Sequence, residues 1–238
     1  MPSEMKTVLV TGAAKRIGRG IATHLAVSGY RVAIHYNTSE KDARRTAAEC
    51  NDAELFQADL ESVAEIERLF RDVEQRLGRL DALVNNAARF TRRDPFEITE
   101  RDWDSIHNVN LKATFFCCQQ GALLMKKTGG GRIVNISSLG GIRPWAEHVH
   151  YCASKAGVIM LTRALAKALA PEITVNSVAP GVIPFGDLDS RAEAMVRATP
   201  AQRAGTAGEV AEAVLYFLNA TNFITGQVLA VDGGLSQR

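Results

Sequence analysis

Tyr151 and Lys155 stand four residues apart in the run Tyr151-Cys152-Ala153-Ser154-Lys155, where a stretch with helical patterning opens. On a helix, positions i and i+4 share a face, which sets an ammonium near a phenol. A cation beside a phenol favours the phenolate and lowers its pKa toward the working pH. The pair Ser137-Ser138 closes an apolar run, Arg132-Ile133-Val134-Asn135-Ile136, a short distance upstream. A serine hydroxyl on a neighbouring strand end can hold a carbonyl oxygen beside that phenol. Such a set gives a proton to a carbonyl or takes one from an alcohol. It needs a hydride carrier from elsewhere in the chain.

A site for one is written near the start. Lys6-Thr7-Val8-Leu9-Val10 reads as a buried strand. It runs into Thr11-Gly12-Ala13-Ala14-Lys15-Arg16-Ile17-Gly18-Arg19-Gly20 and then into a helical pattern through Leu25. Strand, glycine turn and helix start together make a phosphate site, because free backbone N–H groups and the helix N-terminus point at the anion. Gly12 allows a tight turn, and Gly18 allows close approach of the helix and a pyrophosphate. Downstream, short apolar runs at 7–11, 30–36, 53–57, 81–85, 132–137, 173–178 and 227–231 alternate with helical patterns at 17–28, 40–50, 61–77, 100–126, 151–169 and 207–219. Strands separated by helices imply right-handed βαβ units and a parallel sheet covered on both faces. The fold class expected is α/β, a Rossmann-type doubly wound sheet of about seven strands in a single domain spanning 1–238. Its ligand site belongs at the carboxyl ends of the strands. Residues 184–200 break the βαβ rhythm after the sixth strand. They are polar, with a short helical stretch at 192–197, and read as a substrate lid.

Composition narrows the class further. At 238 residues, 46% hydrophobic and 23% charged, the chain has the make-up of a soluble globular protein with an ample core. A net charge of +2 gives no reason to expect nucleic-acid or membrane partners, and no apolar run is long enough to span a bilayer. The segment Met1–Lys6 meets the first strand at once, which leaves no room for a signal peptide. Cys50, Cys117, Cys118 and Cys152 have neither Cys-x-x-Cys nor zinc-ligand spacing, so no metal is expected and the thiols are read as free in a reducing, cytoplasmic setting. The five histidines are scattered and are read as solvated or core residues.

These residues together resemble the short-chain dehydrogenase/reductase family. The matching pieces run over almost the whole chain: Thr11-Gly12 with Gly18, Asp59, Asn85-Asn86-Ala87, Asn110, Ser138, Tyr151 with Lys155, Pro180-Gly181, and Val231-Asp232-Gly233-Gly234. The resemblance implies Tyr151 as the general acid in reduction. It implies Lys155 as the group that lowers its pKa and binds the nicotinamide ribose, and Ser138 as the holder of the substrate oxygen. Asn110 is implied to bend its helix and hold a water in a proton relay. The Ser138-to-Tyr151 separation fits the family; Ser137 is one residue too far. Asp59 with Leu60 falls at the adenine edge, Asn86-Ala87-Ala88 at the turn behind the cofactor, and Pro180, Gly181 and Ile183 at the sixth strand end. Most relatives have glycine at Ala88, so slightly tighter packing is expected there.

The second strand ends His35-Tyr36-Asn37-Thr38-Ser39, with no acid before Glu40. A carboxylate there would bind a ribose 2′-hydroxyl and repel a 2′-phosphate. Hydrogen-bonding Asn37, Thr38 and Ser39, with the positive charges of Lys15 and Arg16 in the turn, point to NADPH over NADH; Ile17, next in the turn, is expected to touch the cofactor as well. For the substrate, Arg16, Phe90 and Phe185 lean toward pteridine reductases, with a flat ring lying against Phe90; a core or subunit-contact role for Phe90 is the alternative. Ser138 leans the other way, because pteridine reductases have aspartate there and a serine suits a ketone. The order is an NADPH-dependent carbonyl reductase first, dihydropterin or dihydromonapterin reduction second, and 3-oxoacyl-thioester reduction third. A catalytically silent, cofactor-binding scaffold is the alternative of another class. The helices near 111–125 and after Tyr151 and the tail 228–234 resemble family contacts, which implies a homotetramer, with a homodimer second.

Overall fold

The computed structural model describes residues 5–237; the reading of the N-terminal segment falls largely on residues 1–4, outside them. One sheet holds seven strands in the order β3-β2-β1-β4-β5-β6-β7, every neighbouring pair parallel. In chain order the elements are β1 (Thr7–Val10), α1 (Arg16–Val27), β2 (Arg31–Tyr36), α2 (Glu40–Ala48), β3 (Glu54–Gln57), α3 (Val63–Leu77), β4 (Ala82–Asn85), α4 (Glu100–His107), α5 (Ala113–Lys127), β5 (Gly131–Ile136), α6 (Val149–Leu169), β6 (Ile173–Pro180), α7 (Ser190–Ala198), α8 (Ala207–Asn219) and β7 (Val228–Val231).

Alternation along the strands builds two cores. Val8, Val10, Val32 and Ile34 face α1 and α8, meeting Ile21, Leu25, Val210 and Val214. Leu9, Ala33, Leu83 and Ile133 face α3 and α5, meeting Ile66, Phe70, Cys117 and Met125. Each large side chain so buried contributes about 1.5–3 kcal/mol. The strand order reverses between β1 and β4, so the chain leaves their carboxyl ends in opposite directions and opens a crevice there.

Several boundaries differ from the sequence reading by a residue or two, and three of the differences have a clear local cause. The Ser62 side chain accepts from the Glu65 N–H, so α3 begins at Val63 rather than at 61. β6 runs on to Pro180 because Ala179 and Pro180 pair with Ala230 and Val231 of β7. The helix expected over 100–126 is interrupted: Asn108–Lys112 forms a π-helical turn between α4 and α5. Residues 184–200 lie outside the sheet and carry α7, none of whose side chains is buried. No helix among the described residues is long and apolar enough to cross a membrane.

Candidate active site

The glycine turn is held rigid from behind. Gly12 has φ +62°, and a β-carbon there would lie 2.9 Å from Ala87 Cα. One on Gly18 would lie 2.2 Å from the Gly12 carbonyl oxygen. Only glycine lets the helix start close over this turn. The Asn86 amide donates to the Thr11 and Gly12 carbonyls at 2.9 and 3.1 Å, and the Thr11 hydroxyl accepts from the Asn86 and Ala87 N–H groups at 3.0 and 3.1 Å. Asn86 and Ala87 therefore build the turn from β4. Ala88 is exposed, so the tighter packing expected there is absent, and the close contact belongs to Ala87 against Gly12. Arg16 takes φ +58°, a left-handed conformation; a non-glycine residue bears roughly 1–2 kcal/mol of strain there. Lys15 and Arg16 are exposed at the start of α1, and Ile17 packs on the core.

His35 is a part of this scaffold that the sequence reading left among scattered histidines. Its Nδ1 accepts from the Gly12 N–H at 3.0 Å, its Nε2 meets the Ala58 carbonyl at 3.1 Å, and its own carbonyl accepts from the Ala13 N–H at 2.9 Å. Burial pushes its pKa down to about 4. The neutral ring thus has its proton on Nε2, and one side chain ties β2, the glycine turn and the end of β3 together. No local pattern reveals this role, because its partners lie in the glycine turn and just after β3.

Beside the turn, Asn37 and Thr38 are exposed and Ser39 is half-buried. Asp59 Oδ1 accepts from the Glu61 N–H at 3.0 Å and from the Asn37 amide at 3.4 Å, and Leu60 is buried next to it. The first acid after β2, Glu40, is engaged by Arg44 at 2.6 Å. Pro180 ends β6 buried, the Gly181 N–H donates to the Val231 carbonyl at 3.0 Å, and Ile183 is half-buried against the core. Gly12, Gly18, the free turn N–H groups, two exposed cations and Asp59 line one side of the crevice, a donor set that fits a dinucleotide.

Ser138, Tyr151 and Lys155 come together on the other side, all buried. The Ser138 hydroxyl lies beside the Tyr151 phenol. Ser138 Oγ accepts from the Gly140 N–H at 3.0 Å. The hydroxyl of Ser137 is committed elsewhere: it donates to the Val178 carbonyl at 3.2 Å and accepts from Ser177 at 2.7 Å. Lys155 Nζ lies 6.0 Å from the Tyr151 ring centre and donates to the Ile136 carbonyl at 2.8 Å. Burial pushes the Tyr151 phenol up to about 12, against the smaller opposing effect of the neighbouring Ser138 hydroxyl. Burial also pushes Lys155 down to about 8. Burial is the largest effect on the phenol and raises its pKa, the opposite direction to the lowering expected from the Tyr151–Lys155 spacing.

Asn110 sits in the π-turn. Its Oδ1 accepts from the Arg89 N–H at 2.8 Å, and its Nδ2 donates to the Arg89 carbonyl and to Ser154 Oγ, both at 3.0 Å. A π-turn adds one residue to a helix and frees a main-chain group from its usual partner. Phe90, exposed, stacks on His148 at 4.6 Å and meets Tyr151 edge-on at 4.8 Å. Trp145 lies parallel to the Tyr151 ring at 6.2 Å. Trp145 and His148 thus join the wall around the phenol, and no spacing rule reveals them, because their shared neighbour is spatial. Phe185 is exposed and lies 6.0 Å from the Arg16 guanidinium.

Comparison with known proteins decides the family. A family model described as Enoyl-(Acyl carrier protein) reductase matches residues 12–236. The chain belongs to the short-chain dehydrogenase/reductase family. Among its relatives is the 3-oxoacyl-(acyl-carrier-protein) reductase FabG of Staphylococcus aureus, 36% identical over 97% of this chain and 98% of the relative. The acetoin dehydrogenase YohF of Salmonella typhimurium superposes with a TM-score of 0.90, at 33% identity over 98% and 97% of the two chains. An actinorhodin polyketide ketoreductase solved with NADPH gives 0.91, also at 33% identity, over 98% of each. As a short-chain dehydrogenase/reductase, the protein is an oxidoreductase with a seven-stranded Rossmann-like sheet.

Proposed function

We propose that this short-chain dehydrogenase/reductase is an NADPH-dependent reductase of small-molecule ketones, working in a cytoplasmic setting as a homotetramer. The observation that carries the reading is the buried set of Tyr151, Ser138 beside its phenol, and Lys155 one helical turn on. Gly12, Gly18, Lys15, Arg16, Ile17, Asn37, Thr38, Ser39, Asp59, Leu60, Asn86, Ala87, Ala88, Pro180, Gly181 and Ile183 would hold NADPH, which when bound supplies the hydride. The absence of a free carboxylate before Glu40, itself paired with Arg44, supports NADPH over NADH. Tyr151, protonated across the neutral range, is the proton donor to the substrate oxygen. Ser138 holds that oxygen and stabilises the charge growing on it. Lys155 spends one of its three N–H donors on the Ile136 carbonyl and keeps two for the ribose hydroxyls. Both N–H donors of the Asn110 side chain are used, and it acts in proton resupply through the π-turn it pins, whose freed main-chain group can hold a water. Residues 184–200, with Phe185, cover the substrate as a lid.

The identity to FabG favours 3-oxoacyl thioesters as a second reading. Pteridine reduction has less support, since one face of Phe90 is stacked on His148 and a serine stands beside the phenol. The deciding experiment is an initial-rate screen with NADPH and NADH against diketones, quinones, acetoacetyl thioesters and dihydropterins. Ketone reduction at least about tenfold more efficient with NADPH is expected, a difference of about 1.4 kcal/mol. Equal efficiency with both cofactors overturns the NADPH assignment. NADPH binding without any turnover overturns the reductase and leaves a cofactor-binding scaffold.

A further inference from the structure

We propose that Glu147 is the catch of a strap across the substrate cleft, a positioning residue that holds the 184–198 segment and the aromatic wall closed over Tyr151. Glu147 lies in a short turn, Ala146–His148, directly before α6. One carboxylate oxygen accepts from Arg92 at 2.6 Å, and the other pairs with Arg191 of α7. Its main-chain carbonyl accepts from the Arg93 N–H at 3.0 Å. Two segments distant in sequence, one after β4 and one after β6, thus converge on a single side chain four residues before Tyr151.

The strap has little else to hold it on this side. No residue of α7 is buried, and Asp189 spends its carboxylate capping the helix itself, accepting from the Ala192 N–H at 2.7 Å. At the other end Phe185 lies against Arg16 of the glycine turn, and Gly186, at φ +131°, turns the chain between them. The strap therefore runs from the cofactor turn to the substrate wall. The same carboxylate fixes Arg92, two residues from Phe90, and so helps keep Phe90 on His148. Exposed ion pairs of this kind contribute a factor of about 1.5–5 each. A catch that weak releases at every turnover, whereas a lid sealed by buried apolar area would not. Removing the carboxylate also leaves two guanidiniums facing one another, so the loss exceeds that from removing either arginine.

The kinetic part of the test rests on the carbonyl-reductase reading, and the exchange part does not. Hydrogen–deuterium exchange over 184–198 and initial-rate kinetics are compared for wild type, Glu147→Gln, Glu147→Asp, Arg191→Gln and the Glu147→Gln/Arg191→Gln double variant. Glu147→Gln is expected to speed strap exchange about 5–20-fold and raise the ketone KM by a similar factor. kcat should move less than about threefold, and NADPH affinity should stay unchanged. Glu147→Asp should recover part of the loss. Arg191→Gln should do less than Glu147→Gln, and the double variant no more. Salt at about 0.5 M should bring wild-type exchange toward that of Glu147→Gln. Unchanged strap exchange in Glu147→Gln overturns the proposal. So does a fall in kcat with exchange and KM unmoved, which would mark Glu147 as support for Tyr151 alone. If wild type reduces no ketone, the reductase reading falls while the exchange ratio still decides the catch.

Discussion

Tyr151 and Lys155 are pushed in opposite directions by the same cause, burial, and the consequences for chemistry and stability differ. The phenol, at about 12, keeps its proton, which is the form a reductase needs. The ammonium, at about 8, is held charged in a site that disfavours charge. Between pH 8 and the unfolded value of 10.5 the unfolded chain binds the lysine proton more tightly than the folded one, so stability rises with pH across that window. Below pH 8 the full cost, up to about 3 kcal/mol, is present. Lys155→Met is therefore expected to be more stable than wild type at pH 7. The gain is about 1–2 kcal/mol after the lost hydrogen bond to Ile136 is counted, seen as a melting temperature a few degrees higher. Its own stability should show no rise from pH 8 to 10.5, and its activity should be lost. Tyr151→Phe should lower kcat about 10³-fold with NADPH affinity nearly unchanged, measured by steady-state kinetics and fluorescence titration.

At the level of elements, the cofactor turn depends on β2 as much as on its own glycines. His35 is neutral in the fold with a pKa near 4 and ordinary, at 6.5, when unfolded. Its contribution is fully present above pH 6.5 and is lost as pH falls toward 4, by up to about 3 kcal/mol. Denaturant unfolding at pH 7 and 4.5 checks this. His35→Leu should lose about 1–3 kcal/mol at pH 7, because the Gly12 N–H is left unpaired, and should show a shallower acid slope. The π-turn between α4 and α5 has a comparable dependence on one side chain. Asn110→Ala removes three hydrogen bonds joining that turn, the chain after β4 and α6, and should cost about 2–4 kcal/mol in the same assay.

For the molecule as a whole, the two cores account for the sheet and its covering helices but leave apolar side chains uncovered. Phe115 and Leu123 of α5 and Met160 of α6 are 37%, 55% and 60% exposed. Helix faces of this kind suit a symmetric assembly. Phe115→Glu combined with Met160→Glu should convert a tetramer to a smaller species in light scattering, with secondary structure retained. A wild-type monomer would remove the homotetramer from consideration.

Periodicity and punctuation were enough to determine the seven strands, the alternating helices and the glycine turn, because each is encoded by neighbours a few residues apart; the Ser138–Tyr151–Lys155 set was legible through the family resemblance. The spacing of Tyr151 and Lys155 does not show their burial, which raises the phenol's pKa and lowers the ammonium's. The bolt made by His35 and the wall of Trp145 and His148 were decided only in three dimensions. Their partners lie on other strands and helices, so nothing in the local pattern carries them. Hydrogen bonding and burial act between surfaces that meet only once the chain has closed on itself.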